Sequence, residues 1–167
     1  MKYKLTENFI IQGNKKLYQI QSLKNFSDVK AGELGGYIES EKNLSQEGDC
    51  WLYDDARVYD NAIVCGNARV FGSAEVYGNA KVYDNALVSS NAKVYGFARV
   101  SGDAIVHDNT EVYDNAVVCG DARVRGNSRV YDNAVVCGDA KVYGFARVYD
   151  NDMVSGYAVV SGDSIIS

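Results

Sequence analysis

From Ala56 to Asp163 one six-residue pattern recurs eighteen times with no insertion or deletion. It reads small, variable, valine, variable, then usually Gly or Asp, then usually Asn or Asp. Valine holds the third place in every copy, from Val58 to Val160. Fifteen of the first places are Ala, and the other three are Thr110, Ser128 and Asp152. Apolar places alternating with variable ones mark a strand with one buried face. The pair that follows breaks the strand, because Gly and Asn tolerate the positive φ of a tight corner. The pattern therefore predicts four-residue strands joined by two-residue corners. Every copy runs in the same sense, so hairpins are excluded and each strand must pair in parallel with its equivalent one coil on. A short fixed period over this length means a solenoid, in which no unit buries a core alone. Inward side chains no larger than valine fill only a narrow bore, which favours three strands and eighteen residues per coil. The predicted fold is all-β, a parallel β-helix of six to seven three-strand coils.

Ahead of the repeat, Asn8–Gln12 and Lys16–Gln21 read as two strands joined through Gly13-Asn14-Lys15. Asn25 to Tyr37 reads as a loop with a Gly-rich end. Gly32, Gly35 and Gly36 are expected to serve turns rather than a phosphate cradle, since no Gly-Lys-Ser/Thr follows. An open bore and unpaired strand edges need a cap, and this segment is the candidate. The expected division is a β cap and loop over 1–43 and the hexapeptide β-helix over 44–167. Counted from Leu44, twenty hexads stacked at about 4.8 Å per coil make a block only ~32 Å long.

Folding the text at eighteen residues gives three faces. The first carries a ladder of Tyr59, Tyr77, Tyr95, Tyr113, Tyr131 and Tyr149, beside Arg57, Glu75, Lys93, Glu111, Arg129 and Arg147. Stacked aromatics and opposite charges stabilise paired strands, so this face either holds itself together or offers an aromatic platform. The second face holds Ile63, Cys65, Val117, Cys119, Val135, Cys137 and Met153, interrupted by Lys81, Tyr83 and Arg99. Apolar residues gathered on an outer face mark something that covers them, and an oligomer contact is expected here. The third face is mixed, and near its end it gathers Arg123, Arg125 and Lys141, with His107 one coil before. Those cations suit an anion such as a phosphate group, or else form a solvated charged patch. Asp152 falls at an inward place, where an unpaired carboxylate is costly unless the coil opens or a partner meets it.

The segments Val29-Lys30-Ala31-Gly32, Leu34-Gly35-Gly36-Tyr37 and Asn43 through Asp54 resemble the amino-terminal signature of the YdcK-like bacterial and prophage-encoded hexapeptide-repeat proteins. That resemblance covers essentially the whole chain. It implies a left-handed β-helix, against the usual preference for right-handed crossovers, and association as a homo-oligomer, with a trimer favoured. Its members are often labelled acyltransferases by analogy of fold. In that reading His107, the only histidine, is the general base at a subunit interface and acetyl-CoA is the cofactor. Otherwise no cofactor is expected, and the chain reads as a noncatalytic binding or scaffolding module. The prophage resemblance narrows this to a protein that sequesters a host ligand or protein, with Arg123, Arg125 and Lys141 binding an anionic small molecule.

Composition sets the outer bounds. The first 49 residues carry seven charges of each sign, so the net charge of −5 sits on the repeat. An acidic rod argues against nonspecific nucleic-acid binding. No apolar run approaches the ~18 residues of a membrane span, and Met1–Thr6 lacks a signal-peptide core, so a cytoplasmic protein is expected. Four cysteines with no C-x-x-C spacing suggest free thiols and no metal site.

Overall fold

The computed structural model describes all of residues 1–167, and its pairing follows the eighteen-residue register. Leu87 and Val88 lie between Arg69 and Val70 on one side and Ile105 and Val106 on the other, all parallel. Each coil donates backbone N–H groups from its second, fourth and sixth places to carbonyls of the next. Lys93 to Thr110, Tyr95 to Val112 and Phe97 to Asp114 show the set, at 2.9, 3.0 and 2.7 Å. Three parallel stacks result, making a β-solenoid of about seven turns consistent with the left-handed helix. The tyrosine sheet runs from Arg57–Val58 to Ile165–Ile166, the apolar sheet from Ile63–Val64 to Met153–Val154, and the cationic sheet from Trp51–Leu52 to Val159–Val160.

The bore is filled as the period requires. Every repeat valine from Val58 to Val148 has no exposed surface, and the inward alanines from Ala56 to Ala146 are equally buried. Thr110 and Ser128 are also fully buried. The far end opens. Val154 and Val160 regain 4% and 7% exposure, Ala158 is exposed, and Asp152 is half-buried. Asp152 belongs to the last coil, which keeps the regular pairing, and its carboxylate retains partial exposure there.

Several local expectations need correction. Each rung is assigned as two strand residues rather than four, with the remaining places bent into corners. The left-handed backbone falls on the first corner residue, which is Gly, Asp or, once, Ser90, and not on the Asn that follows. Asp54, Asp60, Asp84, Asp108, Asp114, Asp132 and Asp150 all have φ between 53° and 64°. For Asp54, Asp60, Asp84 and Asp108 the compensation is a hydrogen bond. Gly72, Gly78, Gly102 and Gly126 donate their N–H to the Asp carboxylate one coil before, at 3.0–3.1 Å. Asn in the second corner place instead builds amide ladders, as in Asn91 to Asn109 to Asn127.

At the amino end, β1 (Tyr3–Gln12) and β2 (Lys15–Ser22) form the expected hairpin. The Gly-rich end of the predicted loop is instead β3 (Leu34–Ile38), antiparallel to β2 and parallel to Arg57–Val58. Gly35 and Gly36 serve this strand rather than a turn. A Cβ on Gly36 would sit 2.4 Å from the Ala56 carbonyl oxygen, and one on Gly35 would sit 2.7 Å from Trp51. Solenoid pairing therefore begins at β3. The hexad frame read from Leu44 is also displaced: Leu44 pairs with Val64 in the valine column, and Gln46 turns outward to the backbone of Lys2 and Tyr3.

The cap closes the bore with aromatics and one buried ammonium. Trp51 packs edge-on against Phe26 and Tyr3, at 5.4 and 6.2 Å between ring centroids. Lys2 Nζ donates to the carbonyls of Glu47, Gly48 and Cys50, so its charge is well supplied with oxygen. The 24–33 loop then reaches down the cationic sheet. There Tyr53 donates to Asp28 at 2.8 Å, and Arg69 is held by Ser27 at 2.8 Å and Asp28 at 3.6 Å. Below Arg69 that sheet is uncovered.

Candidate functional site

Register along the uncovered part of the cationic sheet decides which side chains meet. Arg123 pairs with Lys141 on neighbouring coils, and the preceding rung is Ile105. Fourth-place residues His107, Arg125 and Tyr143 stack beside them in the same order. Four of these, His107, Arg123, Arg125 and Lys141, line one hollow of about 150 Å³. The candidates singled out from sequence are thus brought together. Arg123, Arg125 and Lys141 are exposed, and none forms an ion pair within 4.0 Å. Arg69, by contrast, is already held by the cap loop.

Neighbours without a role in the sequence reading hold two of the four groups. Asp108 Oδ1 lies 3.1 Å from His107 Nδ1, which leaves the imidazole Nε2 free at the hollow. Asp108 is itself pinned, because its Oδ2 accepts the Gly126 N–H at 3.0 Å. That backbone donor, with His107 and Arg125 contributing less, draws the Asp108 carboxyl below its usual range against the opposing effect of burial. The Arg125 guanidinium lies 5.1 Å from the Tyr143 ring centroid, close enough for a cation–π contact.

Behind the same two residues lie two of the three polar departures in the alanine column. Thr110 Oγ1 donates to the His107 carbonyl and Ser128 Oγ to the Arg125 carbonyl, both at 2.8 Å. Elsewhere an inward alanine offers only its backbone N–H to that carbonyl, as Ala92 does to Ser89 at 3.2 Å. A hydroxyl buried in the bore needs a partner, and this carbonyl three residues back is within reach. Thr110 and Ser128 were visible in the sequence as breaks in the Ala column. Their hydroxyls tie them to this corner.

The tyrosine ladder forms as expected, with ring centroids 4.9–5.1 Å apart and planes within 9°. Face-to-face stacking has a consequence for binding. Each inner ring covers its neighbours' faces, so a ligand would meet ring edges and not an open aromatic platform. The charged row beside it pairs weakly, with Arg129 and Glu111 3.9 Å apart, while Tyr59 and Tyr95 donate to Glu75 and Glu111 at 2.8 and 3.3 Å. Burial chiefly, and then the hydrogen bond to Glu75 for Tyr59 and the Glu111 charge for Tyr95, pushes both phenols well above the usual tyrosine range.

On the apolar sheet the structure separates two patches. Ile63 and Cys65 lie at one end; Val117, Cys119, Val135, Cys137 and Met153 lie at the other. Lys81, Tyr83 and Arg99 come between them, and with Ile63 and Cys65 they line a hollow of about 330 Å³. Met153 is 66% exposed, whereas the other apolar residues there are half-buried. All four cysteines are free thiols, and burial pushes the Cys50, Cys65 and Cys119 thiols up.

The repeat also matches known proteins. A family model described as YdcK Beta solenoid repeat matches residues 52–66, 64–78 and 146–162. Over 61 residues the chain is 44% identical to a protein of Escherichia coli (strain K12) named "Uncharacterized acetyltransferase YdcK". The chain carries segments similar to the YdcK β-solenoid repeat. The aligned stretch covers 32% of this chain and 19% of the relative, so the chain spans about a fifth of the relative's length in that match. The segments matched by the YdcK repeat model flank residues 79–145 and do not include His107, Arg123, Arg125 or Lys141. Among solved structures, the chain is similar to the acetyltransferase domain of PglB from Neisseria gonorrhoeae FA1090. That likeness has 16% identity and a TM-score of 0.35, covering 72% of this chain and 54% of the other. A superposition that loose carries no argument about activity. No helix is long and apolar enough to cross a membrane.

Proposed function

We propose that this protein is a noncatalytic binding module whose cationic sheet holds a phosphate-bearing anion. One observation carries the reading: three cations without ion-pair partners and a histidine converge on one hollow in a chain of net charge −5. Against that overall charge, a local excess of free guanidinium and ammonium groups is best used on an anion. The volume suits a phosphate group, and the Arg125 guanidinium is oriented in advance by the Tyr143 ring. Calorimetric titration with inorganic phosphate tests this directly. Binding that Arg125→Ala abolishes supports the reading, and no heat of binding in the unaltered protein overturns it.

Self-association belongs to the same proposal. The Val117, Cys119, Val135 and Cys137 patch is the expected contact between copies, with a trimer favoured. Sedimentation should show an oligomer that Val135→Asp dissociates, and a strictly monomeric parent protein would remove this part.

A second, enzymatic reading has one observation in its favour. Asp108 engages His107 Nδ1 and leaves Nε2 available as a general base. The name of the Escherichia coli relative points the same way. The three cations and His107 fit a phosphate of acetyl-CoA, but a hollow of about 150 Å³ does not take its thioester arm, which would need a wall from a neighbouring copy. Acetyl-CoA-dependent release of free thiol, lost in His107→Ala, would favour this reading over the noncatalytic one.

A further inference from the structure

The cationic hollow does not end at the Arg123–Lys141 rung. The same two side chains form one wall of a second hollow of about 390 Å³, completed by Asp121, Asp139, Tyr157 and Val159. Topology makes the two contiguous. Asp121 and Asp139 occupy the second corner place just before each cation's strand, so they repeat on successive coils exactly as Arg123 and Lys141 do. Crossing the rung therefore reverses the sign of the lining. On the strand side lie His107 and Arg125; on the corner side lie two carboxylates.

Those carboxylates are uncommitted. Asp121 and Asp139 are exposed and form no ion pair within 4.0 Å, although Arg123 and Lys141 line the same hollow. The preceding residue of the same corner column, Asp103, accepts the Asn85 amide at 3.0 Å, and no such donor reaches Asp121 or Asp139. Beyond them the wall turns apolar, with Tyr157 86% and Val159 55% exposed. Its volume lies within the roughly 300–1,000 Å³ of small-molecule sites.

We propose that the two hollows form one site for a phosphate monoester carried on a hydroxylated ring, the chemistry shared by sugar phosphates and nucleotides. This rests on the anion reading above and adds the second half of the ligand. The phosphate takes the His107–Arg125 side, with Arg123 and Lys141 between the two halves. Ring hydroxyls donate to Asp121 and Asp139, which can only accept when ionised. Tyr157 and Val159 cover the apolar face of the ring. The carboxylates also repel a bare anion from the corner side, so they favour ligands that bring hydroxyl donors.

Calorimetry with inorganic phosphate, ribose 5-phosphate and adenosine 5′-monophosphate tests the proposal, using the full chain and its Asp121→Ala/Asp139→Ala variant. Asp121 and Asp139 stand at exposed corner places that hold Ser73, Phe97 and Tyr157 in other coils, so the variant keeps its coils. Ribose 5-phosphate is expected to bind at least about tenfold tighter than inorganic phosphate, the worth of one good charged hydrogen bond. The variant is expected to lose that preference while still binding inorganic phosphate. Tighter binding of the adenosine monophosphate than of ribose 5-phosphate assigns a nucleotide, and equal binding assigns a sugar phosphate; either sustains the proposal. Equal affinity for phosphate and ribose 5-phosphate, or a preference that survives in the variant, overturns it while leaving the anion reading standing. No binding of any of the three overturns both.

Discussion

Val112→Ala should destabilise the protein by about 2.5 kcal/mol. Val112 has no exposed surface and stacks between Val94 and Val130 in the middle of the bore. Losing two methyl groups from the interior forfeits about 1.6 kcal/mol, at ~0.8 for each. The bore cannot readily close around the gap, because Glu111 and Tyr113 are tied to the next coil through Ser128 and Val130 carbonyls at 3.1 and 3.0 Å. A cavity of roughly 40 Å³ held open in this way adds about 1 kcal/mol. Val160→Ala makes the same chemical change where the bore is opening and 7% of the residue is already exposed. Water and relaxing walls absorb much of the gap there, so under about half the cost is expected. Urea unfolding followed by circular dichroism reads both, provided the slope with denaturant is unchanged. Equal losses at the two sites, or no loss at Val112, would refute the account of a sealed and rigid bore.

Three further outcomes follow from the structure. Gly36→Ala places a Cβ 2.4 Å from the Ala56 carbonyl oxygen, and overpacking against backbone should cost roughly 1–3 kcal/mol, seen as a lowered melting temperature. Ser128→Ala should change stability by less than about 1 kcal/mol, since alanine fills the same place in most coils. Burial and carboxylate charge raise the Tyr59 and Tyr95 phenols above their ordinary value of 10.0, so the unfolded chain gives up those protons first. Their stabilising contribution is then complete below about pH 10 and is lost as pH climbs towards the folded-state values. Alkaline titration should show these tyrosinates appearing together with loss of the β signal, and ionisation of Tyr59 and Tyr95 near pH 10 with the fold intact would contradict this.

Much of the site was legible because period and position are the same thing in a solenoid. Residues eighteen apart become neighbours, so His107, Arg125 and Tyr143 could be placed in one column before any coordinates. The reading failed where the period fails. Leu34–Tyr37 lies outside the hexads and was read as loop from its glycines, yet the close approach of Trp51 and Ala56 is why glycine is needed there in a strand. Leu44 sits two residues off the frame, because the segment before Cys50 bulges to meet Lys2 and Tyr3. Corner chemistry was assigned to Asn by its tolerance of positive φ, whereas a carboxylate that reaches the next coil's N–H favours Asp.

The repeat alone determined the parallel coil, its three faces and the contents of its bore, since an apolar residue at every sixth place can be buried in one way only. It also determined which side chains share a column. Tertiary structure decided how charges on those columns are spent. The cap loop takes up Arg69, Asp108 holds His107, and Arg123, Arg125 and Lys141 remain free, with Arg123 and Lys141 also lining a hollow that holds two unpaired carboxylates. Whether two charged groups pair depends on distances set by side-chain direction across corners, and a column of letters does not contain those.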